Sequence, residues 1–192
     1  MSDRIVIGMD LDDVLADFIK SFMWIGHQLF GIDPNARPTS WAWDNSGLSK
    51  EQLSEVWSFV SNVENFHMSL STVPGLNKEL IQELDAKTKM YFPTARFATP
   101  GYDVGRQSAH WLVAKVGIDA PTVLVSPDKG EMAKVLKYDY FIDDRPKNVQ
   151  EVKAALPDCK VYLCDSCHNQ DFNDPAIPRV ANVNDFARIV LA

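Results

Sequence analysis

Positive charge is scarce in this chain: 19 lysines and arginines stand against 26 aspartates and glutamates, a net charge of −7. That balance excludes a non-specific nucleic-acid binder, which needs a basic stripe along the phosphates. No stable nucleic-acid partner is expected, although a locally basic pocket could still take a small anionic ligand. Cysteine is nearly as sparse. Cys159, Cys164 and Cys167 are odd in number and clustered late, so no disulfide framework can be built, and reduced thiols in a cytoplasmic protein are the expectation. Long apolar runs are missing too. No stretch reaches membrane-spanning length, and residues 1–9 carry neither the basic n-region nor the h-region of an export signal. Internal repeats and low-complexity tracts are absent. What remains is 192 residues, 46% hydrophobic and 23% charged, enough for one buried core with an elaboration.

Residues 4–9 read as a strand, apolar without a break from Ile5 to Met9, the pattern of a strand buried on both faces of a parallel sheet. From Val14 to about Phe30 the apolar positions Leu15, Phe18, Ile19, Phe22, Met23 and Leu29 suit a helix. Residues 31–50, with two prolines, two glycines and two tryptophans, break the periodicity. Ser49 followed by Gln52 reads as a capping box for a helix to about Val60, and another helix starts near Asn77. Strands are then expected at 87–94, 121–126, 138–143 and 160–164. Helices are expected at 104–117, ending on Gly117, and at 130–137, 146–156 and 183–191. This alternation predicts an α/β fold: a Rossmann-like, mostly parallel sheet with helices on both faces. Residues 17–74 depart from it. They read as a small helical cap inserted after the first strand, leaving 1–16 and 75–192 as the core.

The first strand runs into "DLDDVLADF", four aspartates in nine residues. Ligands of open α/β sheets bind beyond the carboxyl ends of the strands. Asp10 and Asp12 share a face there, because strand side chains repeat every two residues. The other strand ends supply Thr94, then Ser126 and Lys129, then Asp143 and Asp144. Three or four carboxylates at one sheet edge repel unless a cation neutralises them, and hard oxygen donors favour Mg²⁺. A hydroxyl and an ammonium facing that cation suit a phosphate, so the set describes metal-assisted phosphoryl transfer. Each piece has a plainer reading: Asp12-Asp13 as a solvated turn, Asp143-Asp144 as a helix N-cap. An EF-hand loop from Asp10 fails, since Leu15 stands where glycine is needed and Ser21 where glutamate is needed. Joint occurrence at several strand ends separates the functional reading from these.

"DLDDVLADF" resembles the first motif of haloacid-dehalogenase-like phosphatases, and more narrowly that of the 5'(3')-deoxyribonucleotidases. "PTAR" (93–96), "DKGEMAKVL" (128–136) and "FIDDRPKNV" (141–149) are similar to the second, third and fourth motifs. "NFHMSLSTVPGL" and "CHNQDF" (167–172) resemble further segments of the deoxyribonucleotidases, so the likeness spans nearly the whole chain. Two positions depart from the family pattern. Asp13 replaces the glycine after the second aspartate, a substitution that a residue tolerant of positive φ can absorb. Thr94-Ala95-Arg96 lacks the serine usual in the animal enzymes.

The resemblance implies a mechanism on these residues. Asp10 is the nucleophile and Asp12 the general acid and base. Mg²⁺ is bound by Asp10, the Asp12 backbone carbonyl and one or both of Asp143 and Asp144. Thr94 and Lys129 hold the phosphoryl oxygens, with Thr99 and Lys134 as the alternatives. In the cap, Phe18 and Phe66 are expected to meet the base of a small nucleotide substrate. Arg145 either pairs with the acidic strand ends or borders the phosphate; the sequence leaves both open. Cys164-x2-Cys167-His168 is not expected to bind zinc, because Cys159 lies at the far end of a strand and the tetrahedral set cannot close. A homodimer is compatible with the sequence and not fixed by it.

Overall fold

β1 (Val6–Met9) is the apolar run of the N-terminal region, and it lies inside the sheet rather than at its edge. The structure, a computed structural model, describes residues 4–192. Six strands align in the order β3-β2-β1-β4-β5-β6, where β2 is Lys89–Thr94, β3 Thr122–Val125, β4 Tyr140–Asp143, β5 Lys160–Cys164 and β6 Arg179–Val180. Every pairing is parallel. The expected Rossmann-like α/β fold is therefore present. β6 went unforeseen because two residues are too short for any alternation to show.

Alternation within the strands divides the core in two. Ile7, Met9, Phe92 and Ile142 face one cluster, with Ile81 and Leu84 of α4 (Lys78–Lys87), Trp111 of α5 (Val104–Trp111) and Phe186 of α8 (Val183–Leu191). Phe141, Val161 and Leu163 face the other, with Ala133 of α6 (Lys129–Leu136) and Val149 and Val152 of α7 (Pro146–Ala155). Helices thus cover both faces, as buried parallel strands require. Gly8 points toward the second cluster, where a Cβ would stand 2.6 Å from Tyr138 and 2.7 Å from Phe141. Only a residue without a side chain lets those rings close on β1.

The helices follow their sequence signals. Ser49 and Gln52 make both bonds of the capping box of α2 (Lys50–Asn62), and the Asn77 side chain caps α4. α5 runs on into a single π-turn, Leu112–Val116, that stops at left-handed Gly117. α1 spans Phe18–Phe30 and starts four residues later than the apolar pattern suggests. The reason is local: the N–H groups of Leu15 and Ala16 both donate to the Leu11 carbonyl, making a tight turn, and Asp17 caps the helix through Lys20 N. Asp17 N donates to Ser71 O at 2.9 Å, and Val73 N to Leu15 O at 2.8 Å. These bonds bring the two ends of segment 17–74 together, with α1, α2 and the single turn α3 (Phe66–Ser69) between them. Among the described residues no helix is long and apolar enough to cross a membrane.

Candidate active site

The chain goes outward from β1 to β2 and β3, then returns to β4 on the other side, so β1 and β4 flank a switch point. At such a point the loops beyond the carboxyl ends diverge and leave a crevice. A cavity of about 230 Å³ opens there, lined by Asp10, Asp12, Asp13, Lys129, Asp144 and Arg145 on the sheet side. Phe18, Trp41, Trp57 and Phe97 form its aromatic wall.

Lys129 is the first residue of α6 and is almost wholly buried. Its Nζ donates to Asp10 Oδ1 at 2.5 Å and to Asp143 Oδ2 at 2.6 Å. Burial lowers Lys129, but those two carboxylates outweigh it and keep the ammonium charged. Asp143 is fully enclosed: it also accepts from Asn148 Nδ2 at 3.0 Å and from Arg145 N at 2.9 Å. Asp144 has no such anchors on its carboxylate. His168 Nε2 lies 2.7 Å from Asp144 Oδ2, a close ionic contact without the alignment of a hydrogen bond. Burial pulls His168 down, and the contacts with Asp144, Cys167 and Asp13 more than reverse it, raising the imidazole to about 9. Asn169 holds the same corner from behind by donating to the carbonyls of Asp144 and Cys164. The segment 167–172 thus buttresses the fourth strand end.

Burial, then the surrounding carboxylates, push Asp10 well above the usual carboxylate range despite Lys129. Burial and Asp144 do the same to Asp13. Five carboxylates (Asp10, Asp12, Asp13, Asp143, Asp144) meet three cationic side chains in direct contact with them: Lys129, Arg96 and His168. The carboxylates outnumber these cationic partners, so the cluster attracts a further cation. The donor set fits one. Carboxylate oxygens of Asp10, Asp143 and Asp144 lie within 4.8 Å of one another, all buried. Oxygen donors of this kind suit Mg²⁺. Among the described residues, neither acidic group close enough to share an ion includes a cysteine, and Cys159 sits in the core cluster across the sheet.

The site departs from the sequence expectations at several residues. Thr94 ends β2, but its hydroxyl accepts from Arg96 N at 3.3 Å, and the side chain does not line the cavity. Thr99 bonds to Gln107 and lies outside it as well. Lys134 is exposed and paired with Glu131, which removes it as a rival to Lys129. Phe66 lies apart from the cavity lining. It packs behind Phe97, with ring centroids 6.2 Å apart, and edge-on to Phe18, so the wall shields it from the cavity. Arg145 borders the cavity with its guanidinium 4.9 Å from the Trp41 ring centre, while Arg145 N, not its side chain, binds Asp143. Nor do Asp143 and Asp144 cap α7; Arg145 holds that position without a side-chain bond. Asp13 adopts φ 58°, the turn that its glycine-like position calls for. Sequence reasoning missed Arg96, Trp41, Trp57, Phe97 and Asn148 as site residues. An arginine two residues past a strand end was the only signal among them.

Parallel α/β architecture with clustered carboxylates, a buried lysine and an acidic pair at adjacent strand ends supports a phosphoric monoester hydrolase with a fold like that of the haloacid-dehalogenase family. The solved structures agree on the fold. A hydrolase of that family from Deinococcus radiodurans, holding phosphate and sodium, superimposes with a TM-score of 0.59 at 13% identity, over 99% of this chain and 95% of that one. An L-2-haloacid dehalogenase from Xanthobacter autotrophicus gives 0.59 at 10% identity, over 97% and 98%. Residues 4–192 match the family described as "5' nucleotidase, deoxy (Pyrimidine), cytosolic type C protein", and the chain belongs to that family. A "Putative 5'(3')-deoxyribonucleotidase" of Chlorobaculum tepidum is 27% identical over 157 residues, covering 79% of this chain and 75% of that one.

Proposed function

We propose that the chain hydrolyses deoxyribonucleoside monophosphates to nucleoside and phosphate through an aspartyl-phosphate on Asp10, with Mg²⁺ bound. One observation carries this reading: the phosphoryl-transfer carboxylates and an aromatic wall line the same cavity. Aromatic faces stack on bases, which a bare sugar phosphate lacks. The cytosolic-type family description and the three unpaired thiols support a cytoplasmic location.

The residues divide the work. Asp10 Oδ attacks phosphorus, and the ester oxygen departs with a proton from Asp12. Asp12 then takes a proton from the water that cleaves the acyl-phosphate. Lys129 holds the Asp10 carboxylate in place and opposes charge growing on the phosphoryl oxygens. Asp10, the Asp12 carbonyl and Asp144 would hold Mg²⁺, which, when bound, screens nucleophile from phosphate and withdraws charge from it. Asp143 anchors Lys129 and, lying in the same group of carboxylate oxygens, is a further candidate ligand beside Asp144. Arg145, at the rim, meets the incoming dianion.

Purified protein should release phosphate from deoxyribonucleoside monophosphates with a higher kcat/KM than from sugar phosphates or phosphoglycolate. Preference for a sugar phosphate overturns the nucleotide reading. Excess EDTA should bring release to background and added Mg²⁺ should restore it; undiminished turnover after confirmed metal removal defeats the metal-assisted mechanism.

The wall makes its own prediction. Phe97→Ala should lower kcat/KM for the nucleotide by about 5- to 150-fold, from a stacking contact of about 1–3 kcal/mol. Phosphate release from p-nitrophenyl phosphate should fall far less. Phe66→Ala should instead cost about 3–5 kcal/mol of stability and shift both substrates alike. Kinetics on the two substrates beside thermal melts separate the cases. Equal losses for Phe97→Ala would mean that the wall does not select the base.

A further inference from the structure

Arg96 has a geometry that binding phosphate does not explain. Its side chain is fully buried, whereas that of Asp12 is a quarter exposed to the cavity. Arg96 Nε donates to both Asp12 oxygens, at 3.1 and 3.0 Å, and Nη2 donates to Oδ1 at 2.7 Å. The other edge of the guanidinium is tied down: Nη1 donates to Ser108 Oγ at 3.0 Å, and the group lies 5.8 Å from the ring centre of Trp111. Trp111 is itself fixed by a bond from its indole N–H to the Leu70 carbonyl. The arginine is therefore a rigid strut from α5 to the strand-end turn of β1. A two-toothed grip on a carboxylate fixes its plane, which a single contact does not.

We propose that Arg96 is the positioning residue of Asp12: it sets the orientation in which that carboxyl hands its proton to the leaving oxygen. The inference rests on Asp12 being the proton donor of the proposed reaction. In the first half-reaction the bond from Asp10 Oδ to phosphorus forms while the bond from phosphorus to the ester oxygen breaks. A proton that Asp12 takes up from solvent as the phosphate dianion arrives passes to that oxygen, and the nucleoside leaves as a neutral alcohol. An unanchored aspartate turns freely about two bonds, and misplacement by about 1 Å can cost on the order of 10²-fold in rate. Arg96 removes that freedom before substrate arrives.

The test exploits the leaving group. A nucleoside alkoxide needs the proton; p-nitrophenolate, stabilised by its nitro group, does not. In rapid-quench measurements, Arg96→Met should slow nucleoside release in the first turnover by about 10- to 100-fold. The corresponding p-nitrophenolate burst should change at least tenfold less. Arg96→Lys, which keeps the charge but loses the fork, should fall between wild type and Arg96→Met. In an Asp12→Asn background Arg96→Met should add almost nothing, since its effect runs through Asp12. Inhibition by inorganic phosphate should hold its wild-type strength. Equal slowing of both leaving groups, additivity with Asp12→Asn, or a large loss of phosphate inhibition would each overturn the proposal. Thermal melts establish that the variants fold, and if Arg96→Met does not, Arg96→Lys carries the same comparison. A wild-type protein that prefers some other alkyl phosphate would refute the nucleotide reading alone, and the same alkyl-against-aryl comparison would still decide the role of Arg96.

Discussion

Asp10→Asn yields a folded protein that forms no phosphoenzyme. The amide keeps the shape of the carboxyl but lacks the lone-pair charge that attacks phosphorus, so the first half-reaction has no nucleophile. Turnover should fall on the order of 10⁴- to 10⁶-fold, as when a covalent nucleophile is removed elsewhere. The fold should persist because Lys129 keeps its bond to Asp143, and because one member of a crowded carboxylate group loses its charge. Acid-quenched single turnovers with labelled substrate, read beside circular dichroism, check both halves. Normal labelling of Asp10→Asn would take the nucleophile away from β1 altogether.

Lys129→Met has the second-largest expected effect, and it strikes stability as well as rate. Among the described residues Lys129 is the one cation in contact with both Asp10 and Asp143, and all three side chains are buried. Removing one partner from a buried ion pair typically costs about 3–5 kcal/mol, because the charge left behind has no counterpart. In a chain of this size that lowers Tm by roughly 6–20 °C. The rate should drop about 10²- to 10³-fold through loss of a donor aimed at the developing charge. Mg²⁺ should recover part of the lost Tm, since a divalent ion bound only by the folded protein stabilises it. Melts with and without Mg²⁺ give the answer. A metal-free variant as stable as wild type would show that Lys129 is not the counter-ion of this cluster.

What could be read beforehand follows the reach of each signal. β1, β4 and β5 were visible because strands buried on both faces are apolar without interruption, and Asp10, Asp143 and Asp144 stood out as charge where such runs stop. Lys129 was legible by the same logic. β6 and α3 were not, as two and four residues carry no period. Phe66 was misplaced because an aromatic beside the cap junction can face either way, and only packing against Phe97 turns it inward. Trp41 was illegible for a deeper reason. It sits in an irregular stretch, and its ring meets His168 at 4.2 Å, a residue far along the chain with no pattern linking the two. Arg96 lay inside a recognised motif, but its partners Asp12 and Ser108 come from two other elements. Signals local to one element survived in the sequence; those created where elements meet did not.

The central place of β1 also governs how the molecule can be made. Val6 pairs with Lys89 and Ile7 with Tyr140, so β1 leaves the ribosome before both of its neighbours and must wait for them. At about 5–20 residues per second, the second neighbour emerges several seconds after β1 at the earliest. Until then an apolar strand with two open edges is exposed to other chains, and long-range pairing of this kind closes slowly. Nascent chains that stop short of Asp144 cannot assemble the carboxylate cluster at all. The acidic cluster is thus completed only once Asp143 and Asp144 have followed Asp10 out of the ribosome, and until then the waiting strand stays open to other chains.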